Sequence, residues 1–331
     1  MNKTLKLGVM AAVAAMVSQA AVAQDAPAKK EVNAVTLVDG LEGVFGTHAG
    51  AKRSGAKGIC AKGTFTGNKA ASAVSAASAF SGKAVPVTVR YSIGGGNPNA
   101  PDNGKTVRGM ALQFDLPGGE KWLMANINTP VFSAATPESF QAFLDARKPD
   151  PATKKPDPAK IKAATDANPD HKLQAAFLAS RDVPASYGAQ NYWGVNAFKM
   201  TNAKGQSQMV RWVFEPVGGE EFIKAEKAAT MPALFLKDEL AGRLSQDVPV
   251  NFTMKLQLAE KGDPTNNGTV TWPAERKTID AGTLSITALA DDASCQAINF
   301  NPLVLPKGVE PSDDPLLPAR AGAYAVSQSR R

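Results

Sequence analysis

The stretch "RAGAYAVSQSRR" places Arg320 and Tyr324 four residues apart. On a helix that spacing puts both side chains on one face. A guanidinium beside a phenol favours the phenolate, because a neighbouring cation stabilises the charged form. A phenolate is a hard anionic ligand for a metal. Arginine and tyrosine at this spacing are also common on ordinary helices, so the pair needs context. Other chemistry is scarce. The chain has two histidines, His48 and His171, and neither has a nucleophile context. No cluster of His or Cys has metal-ligand spacing. His171, in "NPDHKL", is expected at the surface or as a cap. "GGGNPNAPDNG" is glycine-rich but lacks the strand–glycine–helix setting of a phosphate loop.

These residues must be positioned by the elements around them. Residues 33–46 carry apolar side chains at spacings of three and four, which predicts a helix with His48 just past its end. Short β-like runs follow: "ICAKGTFTG", "VPVTVRYSI", "TVRGMALQFDL", "KWLMANIN", "YWGVNAFKMT", "QMVRWVFEP" and "VPVNFTMKLQL". "LPGGEK" and "TNAKGQ" read as hairpin connections. Many antiparallel strands at this spacing predict a barrel or sandwich. Trp122, Trp193 and Trp212 lie in these runs and are expected in its core. Thr136 and Pro137 mark the start of a helix to about Arg147. Further helices are expected near 158–180 and 220–245, the latter interrupted at Pro232. The proline-rich stretch from "INFNPLVL" onward reads as an extended wrapping segment that closes in a short helix. No internal repeat divides residues 34–331, which are expected to form one domain.

Bulk properties narrow the function. Lys3 and Lys6, the run "LGVMAAVAAMV" and "AVA" before Gln24 make residues 1–23 a cleavable export leader, too short in its apolar run to span a bilayer. Residues 24–33 form a polar lead-in, and the mature chain is expected in the periplasm. An apolar fraction of 44% supports a real core. The formal charge of +7 is not concentrated. Its densest run, "ARKPDPATKKPDPAKIK", is broken by prolines and aspartates and reads as a solvated loop rather than a nucleic-acid site. Cys60 and Cys295 could pair in an oxidising compartment. The apolar stretch beside each favours two buried free thiols.

In combination, several segments resemble the haem catalases, and most closely the small exported catalase-related peroxidases. They are "VRYS" with Arg90, Arg-Gly-x-Ala from Arg108, Asn-Thr-Pro-Val-Phe from Asn128, and Arg-x-x-x-Tyr from Arg320, in that order. The resemblance covers about residues 34–331. It implies an α+β fold: a catalase-like antiparallel β-barrel of about eight strands, with helical inserts and an extended C-terminal wrapping segment. It implies a b-type haem, with Tyr324 as the axial ligand of its iron and Arg320 keeping that oxygen ionised. Asn128 falls on the distal asparagine that orients peroxide. Arg90 falls on a partner of the haem propionates, and Arg330 or Arg331 on another, Arg331 being favoured. Phe140 and Phe143 fall where a side chain stacks on the haem. The implied partners are a peroxide and a small electron donor, with no nucleic acid and no membrane insertion after leader cleavage.

One departure stands out. The family reads His-Ala-Lys-Gly where "KRSGAKGICAKGTF" has Gly55-Ala56-Lys57-Gly58, with Lys52 where an arginine often stands. A positioned acid–base group is worth about 10²–10⁴ in rate, so turnover is expected to be weak. The glycine is expected to leave an imidazole-sized hole filled by water, with His48 near the entrance. Three readings follow: a weakened peroxidase, a haem carrier of the same fold, or a shared fold with another ligand.

Overall fold

The computed structural model describes residues 31–331. The leader and most of the polar lead-in lie outside the described residues. Eight antiparallel strands close into a barrel: β1 (Gly58–Gly67), β2 (Ala84–Ile93), β3 (Arg108–Asp115), β4 (Lys121–Ile127), β5 (Tyr192–Thr201), β6 (Ser207–Pro216), β7 (Val250–Leu258) and β8 (Thr278–Leu289). Their order is β5-β4-β3-β2-β1-β8-β7-β6, and β6 pairs back to β5. Between β4 and β5 the ladder narrows to the pair Ile127–Trp193.

Alternation along each strand sorts the side chains to two faces. Phe65, Tyr91, Phe114, Trp122, Phe214 and Phe252 point inward and are fully buried. They fill the barrel with edge and stacked contacts: Phe65 lies 5.2 Å from Phe114, and Trp122 5.8 Å from Trp212. The interior is therefore a packed core. Any ligand of appreciable size must bind on the outer face.

Helices cover parts of that face. Helix α1 (Ala34–Phe45) is opened by a reciprocal cap between Asn33 and Thr36. Helix α2 (Pro137–Asp145) starts at the Thr136 cap with Pro137 behind it, as the sequence suggests. The stretch near 158–180 is two helices, α3 (Pro158–Ala167) and α4 (Leu173–Ala179), parted at Pro169. Helix α5 (Phe235–Ser245) follows Pro232, and helix α6 (Leu316–Ser329) is the last element. Before α6 the chain wraps the barrel: Val304 O accepts from Leu123 N, and Val309–Pro311 pairs with β5. Among the described residues no helix is long and apolar enough to cross a membrane.

Three expectations are corrected here. Cys60 and Cys295 are bridged, with 5.7 Å between their Cα atoms. The short helix Asp292–Gln296 packs on β1 and brings the sulfurs together inside a small apolar cluster with Phe300. His171 is 1% exposed. Its Nε2 lies 3.0 Å from Ser139 Oγ, and the edge of its ring meets Phe143. Trp193 lies on the outer face against Phe177, while Trp122 and Trp212 are in the core.

Candidate active site

Tyr324 sits half-buried on α6. Arg320, one turn earlier, donates from Nη2 to the phenolic oxygen at 3.2 Å. Its Nη1 donates to Asn196 Oδ1 at 2.6 Å, and Asn196 Nδ2 donates to Asp314 Oδ2 at 2.8 Å. Asp314 is 1% exposed, and burial raises its carboxyl above the usual range. The other carboxylate oxygen accepts from Leu316 N at the start of α6. A buried acid, an amide and a guanidinium thus form a chain ending on the phenol. That geometry stabilises negative charge on the phenolic oxygen. Asn196 lies where the β5–β6 register shifts between Gly194 and Phe198. "GVNAF" gives no sequence signal of this role.

A cationic cluster flanks α6. Lys52 Nζ donates to the carbonyls of Gln296 and Ile298, and Arg331 Nη1 donates to Gln296 O at 2.7 Å. Burial, then the charges of Arg90 and Arg331, bring the Lys52 ammonium down to about 7. Burial and Arg331 likewise lower Arg90 to about 10, partly offset by Tyr187, Asp292 and Tyr324. Among the described residues none of the three cations has an ion-pair partner, and the Nε atoms of Arg90 and Arg331 are buried without a hydrogen bond. Such a cluster is unfavourable unless an anion joins it. Arg330 is not part of it, since it pairs with Asp39 and Glu42.

The outer face between these groups is made of small side chains. Gly58, Ser92, Gly109, Ile127 and Trp193 are neighbours across β1 to β5. Beside them runs Cys60–Arg90–Ala111–Ala125. Arg90 Nη2 donates to Gly55 O at 2.7 Å and Ala56 O at 3.3 Å. A Cβ on Gly58 would stand 2.8 Å from the Tyr91 carbonyl oxygen and 2.5 Å from the Arg90 guanidinium carbon, so a side chain there would displace Arg90.

Gly55 borders this face beside Ser92 and Arg90. A Cβ at 55 would lie 3.2 Å from Ser92 Oγ and 3.6 Å from Arg90 Nη1. Its φ of +62° is left-handed, a conformation disfavoured for a β-substituted residue. Asn128 has both polar side-chain atoms engaged. Its Oδ1 accepts from Arg108 N at 2.8 Å and its Nδ2 donates to Gln190 at 3.0 Å. It lines a small cleft with Lys105, Arg108, Phe177 and Arg181. The side chain in register with Gly109 and Ser92 is its neighbour Ile127. Phe140 packs on Phe132, while Phe143 is held by His171 and by Arg147, whose Cζ is 3.5 Å from the ring centre. His48 lies in the turn after α1, where its carbonyl accepts from Ala51 N. No cluster of three or more His, Cys, Asp or Glu side chains suited to a metal occurs among the described residues.

A closed eight-stranded antiparallel barrel with an arginine-held tyrosine on the last helix defines the catalase fold class. The comparisons agree. The catalase family model matches residues 47–331. A catalase-related peroxidase of Synechococcus elongatus is 42% identical over 322 residues, covering 97% of this chain and 95% of that protein. Another, from Mycolicibacterium paratuberculosis, is 33% identical over 299 residues, covering 89% and 93%. Among solved structures, catalase A from Saccharomyces cerevisiae superposes with a TM-score of 0.78 at 21% identity, covering 85% of this chain and 61% of that one. A fungal catalase gives a TM-score of 0.78 at 22% identity, covering 85% and 59%. The chain thus spans about three-fifths of those two catalases. It belongs to the catalase family, on the branch of the catalase-related peroxidases.

Proposed function

We propose that this chain is an exported haem-dependent peroxidase that reduces organic hydroperoxides or hydrogen peroxide with a small electron donor. The observation that carries the reading is the chain Asp314–Asn196–Arg320–Tyr324 beside three unpaired cations. The residues fit haem at both ends. Tyr324 offers one anionic oxygen for the iron, and Lys52, Arg90 and Arg331 offer cations for the two propionates. When bound, haem would supply redox-active iron for peroxide reduction. Arg320 holds and orients the phenolic oxygen, and Asp314 and Asn196 fix Arg320. The cation cluster sets the cofactor's orientation by charge and hydrogen bonding.

The distal side determines the rate. Cleaving a peroxide requires moving a proton from the attacking oxygen to the departing one. Glycine at 55 has no group for this, and Asn128 is committed elsewhere. Losing a positioned acid–base group lowers rates by about 10²–10⁴. We therefore expect slow donor oxidation and much slower dismutation of hydrogen peroxide. The haem-loaded protein, mixed with an organic hydroperoxide and a donor dye, should oxidise the dye with saturation. Ordinary catalase turnover would overturn the weakened reading. Haem uptake without any dye oxidation would favour a carrier, a second reading that the lack of an acid–base side chain at 55 supports.

The cation cluster gives a pH test. The folded pKa of Lys52, about 7, lies below its unfolded value of 10.5. Between these values the unfolded chain binds more protons. The unloaded protein therefore gains stability from this group as pH rises through that window, and below it bears the full cost of the buried charge. Propionates beside Lys52 would raise it again. Loading at about pH 8.5 should take up about one proton more in the wild type than in Lys52→Met, since the proton Tyr324 gives up as a ligand is common to both. Calorimetry in buffers of different ionisation heat reads the difference. Equal uptake in both proteins would remove Lys52 from the cofactor site.

A further inference from the structure

Five cationic side chains gather where the segment around Lys52 and Gly55 meets the end of α6: Lys52, Arg53, Arg90, Arg330 and Arg331. We propose that Glu42 on α1 is a positioning residue of the cofactor site. It sorts these cations, holding Arg53 and Arg330 so that Lys52, Arg90 and Arg331 are left for the cofactor's two carboxylates. This rests on the haem reading above and specifies which cations serve it.

The pairing pattern supplies the first argument. Four of the five cations are chain neighbours in two pairs, 52 with 53 and 330 with 331. One member of each pair goes to Glu42. Arg53 Nε donates to Oε1 at 2.6 Å, and Arg330 Nη1 to Oε2 at 2.9 Å. The other member of each goes to a single carbonyl, Gln296 O, from Lys52 Nζ at 3.1 Å and from Arg331 Nη1 at 2.7 Å. One carboxylate and one carbonyl thus divide four cations into an ion-paired set and an unpaired set. Among the described residues Glu42 is the only ion-pair partner of Arg53, whose side chain is 8% exposed. Asp39 reaches Arg330 alone and is exposed.

The reach of these charges supplies the second. Burial, and then the charge of Arg53, lowers Arg331 from arginine's ordinary value. Arg53 therefore acts on the very cation that the cofactor would use. A buried guanidinium that loses its carboxylate is left uncompensated, and another carboxylate nearby suits its fork. Without Glu42, Arg53 and Arg330 become competitors for the propionates.

The joint between the segment and α6 does not depend on that carboxylate. Arg53 N donates to Ser327 Oγ at 3.2 Å, its Nη1 to Ala51 O at 2.9 Å, and its Nη2 to Arg330 O. Removing the charge at 42 leaves these bonds to hold the helix that carries Tyr324. The contribution of Glu42 is thus one of charge, and it acts through the cations it withholds.

Haem release from the loaded protein to an excess of a haem-scavenging protein tests this. Glu42→Gln keeps the side chain's length, but its amide nitrogen only donates, so it cannot hold both guanidiniums. It should release haem about tenfold faster than the wild type, the value of one misdirected hydrogen bond to a charged group. Haem dimethyl ester, whose carboxylates are masked, should leave both proteins at the same rate. Asp39→Asn, which keeps both contacts of Glu42, should release haem as the wild type does. If Glu42→Gln does not fold, Glu42→Asp, a methylene shorter and unable to span both guanidiniums, should show the same contrast between haem and ester. Equal haem release from wild type and variant overturns this inference alone. So does equal acceleration of haem and its ester, which marks a merely structural role. A wild type that takes up no haem overturns the haem reading and this inference with it.

Discussion

Tyr324→Phe is expected to lose donor oxidation altogether and to release haem far faster than the wild type. Changes to groups that merely support a metal ligand typically cost 10–100-fold in affinity or activity. Removing the ligand itself should exceed that range. Arg320→Leu, which removes only the support, should fall within it. The fold should be indifferent to the change at 324. Tyr324 is half-buried, and its hydroxyl touches only Arg320 among its hydrogen-bond partners. Loss of one such hydroxyl should move unfolding by no more than about 0.5–1.5 kcal/mol. Kinetics and melting should therefore separate cleanly. A Tyr324→Phe protein that retains both haem and activity would show that the ligand lies elsewhere.

The second large effect is structural. The bridge Cys60–Cys295 closes a loop of 235 residues. Removing it with Cys60→Ser and Cys295→Ser should cost about 2–5 kcal/mol, mostly through the freed unfolded chain. The melting temperature should fall by about 3–8 °C. Haem retention should fall as well. The turn held by Cys295 presents the carbonyls of Gln296 and Ile298 that grip Lys52 and Arg331. The same bridge bears on export, because disulfides persist in oxidising compartments. Protein secreted with its own leader should begin at Gln24 and carry the bridge, both visible in its intact mass. Free thiols in that material, with unchanged melting of the double variant, would contradict this account of the turn.

Much of the architecture was legible because it rests on local rules. Alternation named the strands of the barrel, and Thr136–Pro137 marked a helix start. The four-residue spacing of Arg320 and Tyr324 put them in contact on one helix. What failed depended on contacts between distant segments. "NPDHKL" looks solvent-facing, but Ser139 and Phe143 from another helix enclose His171. The pairing of Cys60 with Cys295 needed the helix Asp292–Gln296 to lie on β1, which no spacing reveals. Asn196 looks like any strand asparagine until the register shift turns it toward Arg320.

Asn128 shows a different limit. One step along a strand moves a side chain to the opposite face. The motif beginning at Asn128 was recognisable, but only the ladder shows that Ile127 is aligned with Gly109 and Ser92. Gly55 was read as a departure from the family pattern, but its backbone conformation was not legible. The backbone there has turned left-handed, and Ser92 and Arg90 crowd the position. A histidine put back at 55 would start from a strained backbone.

Resonance Raman spectroscopy of the haem-loaded ferric protein, excited in the visible, tests the central claim most directly. The account predicts phenolate ring modes in the wild type that vanish in Tyr324→Phe. A wild-type spectrum without phenolate modes, or one that Tyr324→Phe leaves unchanged, would contradict it.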